Sequence, residues 1–310
     1  MKTIPTISLF DQFDDLLQQY RITKAPQDLY EPVNYIMGLG GKRIRPLLCL
    51  MACEMFGGKA SDAYHAALAI EYFHNFTLLH DDVMDDAPIR RGQATVHEKY
   101  DVNTAILSGD ATLIKAYEHL SQVPTTLLPQ VMRIFNQTAL EVCEGQSYDM
   151  AFENTLSVKI ADYINMIALK TAVLLGASLQ IGALIGKASP NDAQKMYDFG
   201  RNIGIAFQLQ DDILDTFGNQ ETFGKRIGGD ILHNKKTFLL VTALAKATEH
   251  NLKALLQWLD TSIQHNETEK IKAVQQLYTK LHVKQAAEAE MERYYQAALQ
   301  DMAVINKPAV

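Results

Sequence analysis

Apolar residues recur in steps of three and four along most of this chain, and that spacing commits it to helices. Ala66, Ile70, Phe73 and Thr77 form one such stripe within 63–79. The same period predicts helices over 127–142, 158–185, 193–214 and 238–259. Alternation of period two over strand length is scarce, and no Asn-Gly or Asp-Gly turn joins apolar alternating runs. Only 9 prolines and 17 glycines interrupt 310 residues, which leaves room for long elements. Breaks fall at Gly57-Gly58, Gly186, Gly218 and Gly228-Gly229. Ser189-Pro190-Asn191-Asp192 reads as a helix start, with a Ser cap, Pro at the first position and Asp in the first turn. From about Asn251 the sequence turns charged and rich in Ala and Gln, as outer helices of a bundle would. No linker or tandem repeat divides the chain, so the expectation is one all-α domain spanning 1–310.

Composition removes several classes of function. Lys plus Arg number 29 against 36 Asp plus Glu, a formal charge of −7, which argues against nucleic acid as the main partner. The most apolar stretch, Ile164 to Ile185, is broken by Asn165, Lys170, Thr171, Ser178 and Gln180. A spanning helix needs about 20 nearly unbroken apolar residues, so this stretch is expected to be a buried helix and not a membrane span. The N-terminal sequence turns acidic before an apolar run of signal-peptide length forms, so no targeting segment is expected. The closest of the 3 cysteines, Cys49 and Cys53, are one helical turn apart and read as small core residues of a reduced, cytoplasmic protein.

Two segments carry chemistry. Asp81-Asp82-Val83-Met84-Asp85 and Asp211-Asp212-Ile213-Leu214-Asp215 both follow an apolar helical run. With 21 aspartates in 310 residues, chance supplies about 0.1 DDxxD motifs per chain, so a pair of them signals a shared task. On a helix Asp81 and Asp85 lie one turn apart on one face, about 5–6 Å from each other, and Asp211 and Asp215 repeat the arrangement. Carboxylates so close repel unless a cation bridges them. Mg²⁺ suits the role, because it takes a few carboxylate oxygens, keeps waters and completes its shell with phosphate oxygens. Two facing clusters would hold two or three such ions around a diphosphate. The alternatives are a solvated acidic helix end or a Ca²⁺ loop, and the latter lacks the mid-loop Gly of an EF-hand. Asp81, Asp82, Asp85, Asp211 and Asp215 are therefore the candidate metal set.

The cations gather beside glycines or beside these clusters: Lys42, Arg43 and Arg45 after Gly40-Gly41, Arg90-Arg91 before Gly92, then Lys225-Arg226 and Lys235-Lys236. Glycine lets backbone amides approach an anion, and Arg offers a two-pronged fork to phosphate oxygens. The pattern implies two anionic ligands, one held through metal and one by cations alone.

The segments GGKRIRP (40–46), LLHDDVMDDAPIRRG (78–92), GQSYD (145–149), LKTA (169–172), FQLQDDILDTFG (207–218) and GKRIGGDILHNKKT (224–237) together resemble the trans-isoprenyl diphosphate synthases, the polyprenyl synthetase family. The match runs through about 36–240, leaving 241–310 as outer helices. It implies an all-α isoprenoid-synthase bundle with a central cavity, usually a homodimer, condensing isopentenyl diphosphate with allylic diphosphates (dimethylallyl, geranyl, farnesyl) on Mg²⁺. Carried over by position, Lys42, Arg45, His74 and Arg91 resemble the isopentenyl diphosphate site. Arg90, Lys170, Lys225 and Lys235 resemble the residues that grip the allylic diphosphate. Thr171 and Gln208 would face the allylic carbons.

Such a reaction ionises a C–O bond whose leaving group is diphosphate, so it needs neutralising charge and a dry cavity and no Ser, Cys or His nucleophile. In the family an aromatic five positions before the first Asp tends to stop chain growth, and Phe76 stands there, with the small Thr77 after it. A C20 product is expected ahead of C15. The competing readings are a synthase of C30 or longer products, a class I terpene cyclase, and an inactive partner subunit. GGKRIRP counts against the cyclase, which needs no second anion.

Overall fold

The apolar stripes fold as helices. The structure, a computed structural model, describes residues 6–153, 155, 157–218 and 227–305. Helices α1 (Thr6–Gln19), α2 (Gln27–Gly38), α3 (Ile44–Met55) and α4 (Tyr64–Met84) lead to a two-residue antiparallel hairpin, β1 (Ile89–Arg90) and β2 (Gln93–Ala94), with Ile89 opposite Ala94. Then come α5 (Val96–Lys99), α6 (Val102–Leu120) and α7 (Leu128–Glu153). Helix α8 (Ile160–Ile167) runs through a π turn (Ala168–Ala172) into α9 (Val173–Ile185). Helices α10 (Pro190–Phe217), α11 (Gly229–Leu232), α12 (Phe238–Lys246), α13 (Glu249–Leu259), α14 (Glu267–Lys280) and α15 (Val283–Ala303) complete the all-α fold. Contacts divide the described residues into two compact units, one of 6–136, 177–197 and 305, the other drawn from 137–176 and 198–304.

In the first unit α4 packs along α6 around buried Leu68, Ile70, Phe73 and Leu79. Each such side chain contributes roughly 1.5–3 kcal/mol when removed from water. Small residues of α6 allow the close approach. A Cβ on Gly109 would lie 2.3 Å from His80 Nε2, so the imidazole fills the space that glycine leaves. Gly182 on α9 and Gly186 just past its end do the same for α3, where added Cβ atoms would meet the carbonyl oxygens of Cys49 and Cys53 at 2.0 and 2.3 Å. Cys49 and Cys53 are buried, unpaired core thiols, as their spacing suggests. The second unit buries Tyr163, Ile167, Ile205, Leu209, Ile213 and Leu239, drawn from α8, α10 and α12.

The start of α10 follows its sequence signal: Asp192 N donates to Ser189 Oγ at 3.1 Å, and Ser189 Oγ donates back to the Asp192 carboxylate at 2.7 Å. The apolar segment Ile160–Ile185 is a core helix, with 78 % of its most apolar window buried. Two expectations need correction. The helix expected over 238–259 is two helices, because Ala247 and Thr248 adopt extended backbone and interrupt it before the chain restarts as α13. The hairpin was absent from the helical reading. Its turn is Arg91-Gly92, both left-handed (φ 53° and 76°), which fits the twist of a hairpin as Asn-Gly would.

Candidate active site

The glycine-rich entry to α3 places the first cation group. Gly40 and Gly41 have φ of 77° and 123°, and a Cβ on Gly41 would lie 2.8 Å from Arg91 Cζ. Only glycine gives both the backbone turn and room for that guanidinium, which also donates to the Gly40 carbonyl. Arg43 turns inward. Its Nη1 donates to Glu71 Oε1 at 2.5 Å and its Nη2 to the Met37 carbonyl at 2.6 Å, with both ion-pair side chains 2 % exposed. Asn75 Nδ2 donates to the same Glu71 oxygen at 3.0 Å. The charge of Glu71 is thus committed to Arg43.

Arg45, two residues on, has His74 as its side-chain partner, with Nη1 3.2 Å from His74 Nε2. A guanidinium only donates, so His74 Nε2 must accept and the ring proton resides on Nδ1. Burial, and then the charges of Arg45, Arg91, Arg90 and Arg43, hold His74 well below the usual imidazole range, so it stays neutral at pH 7. Burial likewise pushes Arg45 down to about 10, against the weaker support of Glu71. Arg45 Nε is buried with no hydrogen-bond partner. Lys42 stands exposed beside this group. Guanidinium groups in excess over carboxylate, partly dried and short of acceptors, make a receptor for a multiply charged anion.

The first aspartate cluster closes α4. Asp85 N donates to Asp81 O at 2.9 Å, so the two are one turn apart, with Asp81 half-buried and Asp85 exposed. Asp82 behaves differently from its neighbours. It is buried, and Arg90 grips it through Nε and Nη2 at 2.6–2.9 Å. Asp82, expected among the metal ligands, is here the ion-pair partner of Arg90. Phe76 lies one turn before His80 and meets that ring edge-on at 4.8 Å, and its ring centroid is 5.8 Å from that of Phe73. Thr77 directs its hydroxyl to the His74 carbonyl at 2.8 Å.

The second cluster lies within α10, in the other unit. Asp211 and Asp215 are half-buried and one turn apart, while Asp212 is buried. Tyr163 Oη donates to Asp212 at 2.5 Å, Phe238 N at 3.1 Å and Gln208 Nε2 at 3.3 Å. Burial raises Asp212 to about 7 against those donors. Gln208, expected to face carbon, thus also steadies Asp212. Asp215 Oδ1 accepts from Asp230 N at 3.0 Å, which fastens α10 to the start of α11.

Lys170 and Thr171 stand on the π turn, a bulge that changes the facing of both side chains relative to an unbroken α-helix. Lys170 Nζ donates to Asp149 Oδ2 at 2.6 Å. Gly145 makes this possible, since a Cβ there would lie 2.3 Å from Lys170 N, and a Cβ on Gly204 would lie 2.7 Å from Ala172 Cβ. Glycines of α7 and α10 thus flank the bulge. Lys235 is exposed, whereas Lys236 is buried and donates to the Glu153 carbonyl at 3.4 Å. Lys225 lies outside the described residues. Sequence reasoning missed Glu71 and Asp149 as partners. The signal for Glu71 was a carboxylate within the apolar run 66–73, and for Asp149 its place in GQSYD.

The polyprenyl synthetase family model matches residues 26–281. The chain belongs to the polyprenyl synthetase family. It is similar to the geranylgeranyl diphosphate synthase of Sulfolobus acidocaldarius, 41 % identical over 255 residues covering 81 % of this chain and 77 % of that protein. Its structure resembles the crystal structure of a geranylgeranyl pyrophosphate synthase, with TM-score 0.93 and 44 % identity over 99 % of this chain and 94 % of the other. It also resembles the Corynebacterium glutamicum geranylgeranyl pyrophosphate synthase complexed with isoprenyl diphosphate and magnesium, with TM-score 0.83 and 25 % identity over 98 % and 93 % of the two chains. The protein is a prenyltransferase of the short-chain trans-isoprenyl diphosphate synthase type. The donor chemistry fits the divalent ion such enzymes use. Asp81, Asp85, Asp211 and Asp215 offer only hard carboxylate oxygens at one-turn spacing.

Proposed function

We propose that the protein condenses isopentenyl diphosphate head to tail (1'–4) with dimethylallyl, geranyl and farnesyl diphosphates, in a Mg²⁺-dependent reaction that stops at C20. Arg45 carries this reading: its Nε is buried without an acceptor and its side-chain partner is a neutral imidazole. A phosphate oxygen supplies the missing acceptor, and a hydrogen bond to a charged group contributes about 1.5–3 kcal/mol. Lys42, Arg91 and His74 complete the isopentenyl diphosphate site in this reading. A cyclase would have no use for that second anion.

Asp81, Asp85, Asp211 and Asp215 would hold two or three Mg²⁺ ions. Bound there, the metal supplies Lewis-acid neutralisation of the departing diphosphate. Arg90, paired with Asp82, and Lys170, paired with Asp149, would offer their charges to the same leaving group, joined by Lys225 and Lys235. Thr171 and Gln208 direct oxygen dipoles toward the allylic carbons as positive charge develops. The double bond of isopentenyl diphosphate attacks that carbon, and the proton then lost passes to the released diphosphate. Phe76, braced by His80 and Phe73, supports a floor that ends growth at C20. The exposed Ile106, Leu107 and Ile114 of α6 support a homodimer, and the reduced cysteines a cytoplasmic setting.

Asp81→Ala and Asp211→Ala test the reading. Each is expected to keep its circular-dichroism spectrum and lose most turnover. Full activity in either folded variant would overturn the metal assignment.

A further inference from the structure

Beside the aspartate motif, and separate from its ligands, Asp86, His97 and Glu98 gather around one buried ring. Asp86 follows the end of α4 in a left-handed conformation (φ 49°), and its side chain is 98 % exposed. His97 and Glu98 lie on α5. The His97 side chain is 5 % exposed, and neither Nδ1 nor Nε2 has a hydrogen-bond partner. Its Nε2 is 4.0 Å from Asp86 Oδ1 and 3.8 Å from Glu98 Oε1. These separations exceed hydrogen bonding, so the carboxylates do not satisfy the ring.

The three ligand atoms nevertheless lie within 4.8 Å of one another. We infer that Asp86, His97 and Glu98 form an accessory site for a zinc-class divalent cation. In a tetrahedral site with bonds of about 2.0–2.2 Å, ligand atoms lie about 3.3–3.6 Å apart. The cluster reaches that spacing by a small rotation of two solvent-exposed carboxylates, with the buried ring as fixed anchor. One imidazole nitrogen with two carboxylates favours Zn²⁺, Co²⁺ or Mn²⁺ over Mg²⁺, which prefers oxygen alone. Water fills the fourth position.

The site also has a mechanical consequence. Residues 87–95 carry the Arg90-Arg91 hairpin, and Thr95 already ties its base, with Oγ1 donating to Ala87 O at 2.7 Å and N to Pro88 O at 3.1 Å. An ion joining Asp86 to His97 and Glu98 closes that segment at both ends and restrains the hairpin from which Arg90 reaches Asp82. The binding claim stands whether or not Arg90 grips a diphosphate.

Co²⁺ serves as a visible stand-in for Zn²⁺. Titrated into the full-length protein in excess Mg²⁺, which occupies the oxygen-only aspartate sites, one equivalent is expected to give d–d bands of a low-coordinate site with nitrogen ligation. Zn²⁺ should displace them. Asp86→Asn and Glu98→Gln alter exposed side chains and leave the fold intact. Each should weaken Co²⁺ binding by at least the roughly tenfold that loss of an outer-shell partner costs. His97→Gln should abolish the bands. Zn²⁺ should also slow hydrogen exchange of the 89–94 amides in the parent and not in Asp86→Asn. Absence of such bands, bands that persist in both carboxylate variants, or bands lost in Asp81→Ala but kept in Asp86→Asn would each overturn the site.

Discussion

Replacing Arg45 with Met separates binding from stability. A guanidinium held near pKa 10 instead of 12.5 carries a penalty of up to about 3 kcal/mol for being charged in the folded, anion-free protein. Partial solvent access reduces that figure, and loss of the hydrogen bond to His74 offsets about 1 kcal/mol of the gain. Met keeps most of the side-chain volume. The net expectation is a stabilisation of about 1–2 kcal/mol. With an unfolding entropy of about 2.1 cal/mol/K per residue, this chain gains roughly 2–3 °C in Tm. The same substitution removes a charge-assisted contact to diphosphate, so KM for isopentenyl diphosphate should rise roughly 10- to 150-fold, with a smaller effect on the allylic substrate. Differential scanning fluorimetry with and without inorganic diphosphate reads the first effect, and steady-state kinetics in each substrate reads the second. An Arg45→Met protein that melts several degrees lower and keeps its KM would refute the reasoning, because Arg45 would then be a structural residue.

Three further outcomes are expected. Phe76→Ala should lengthen the product, measured by mass after dephosphorylation, and an unchanged profile would remove the floor. Gly145→Ala forces a Cβ to within 2.3 Å of Lys170 N; it should displace the π turn, and kcat should fall at least tenfold where an ordinary exposed Gly→Ala in a helix would stabilise by about 0.5–1 kcal/mol. His119 is buried beside His65, 3.2 Å away, and burial followed by the His65 charge lowers it to about 4. The unfolded chain therefore takes up a proton below about 6.5 that the folded protein refuses, so stability falls from pH 6.5 toward 4 by up to about 3 kcal/mol. Melting curves across that range should fall more steeply for the parent than for His119→Gln, and parallel curves would contradict the account.

Helix content, the aspartate motifs and the cation groups could be read from the chain because each is written in local spacing. What escaped was set by partners distant in sequence. The π turn at Ala168–Ala172 depends on Gly145 and Gly204, glycines of two other helices, and no period within 158–185 announces it. Asp82 and Asp81 look alike in DDxxD, and only the approach of Arg90 from the hairpin shows Asp82 as its ion-pair partner. Glu71 lies in an apolar run as though misplaced, until Arg43 arrives from the other side of Gly40-Gly41. The break at Ala247-Thr248 is a change of backbone at two residues, which apolar periodicity over 238–259 does not register.

The most direct test of the central claim supplies the purified protein with isopentenyl diphosphate, Mg²⁺ and, in turn, the C5, C10 and C15 allylic diphosphates, then sizes the dephosphorylated products by mass. The account predicts elongation from every primer, ending at C20, and no product when Mg²⁺ is chelated. A cyclic hydrocarbon, or a folded protein without turnover, would contradict it.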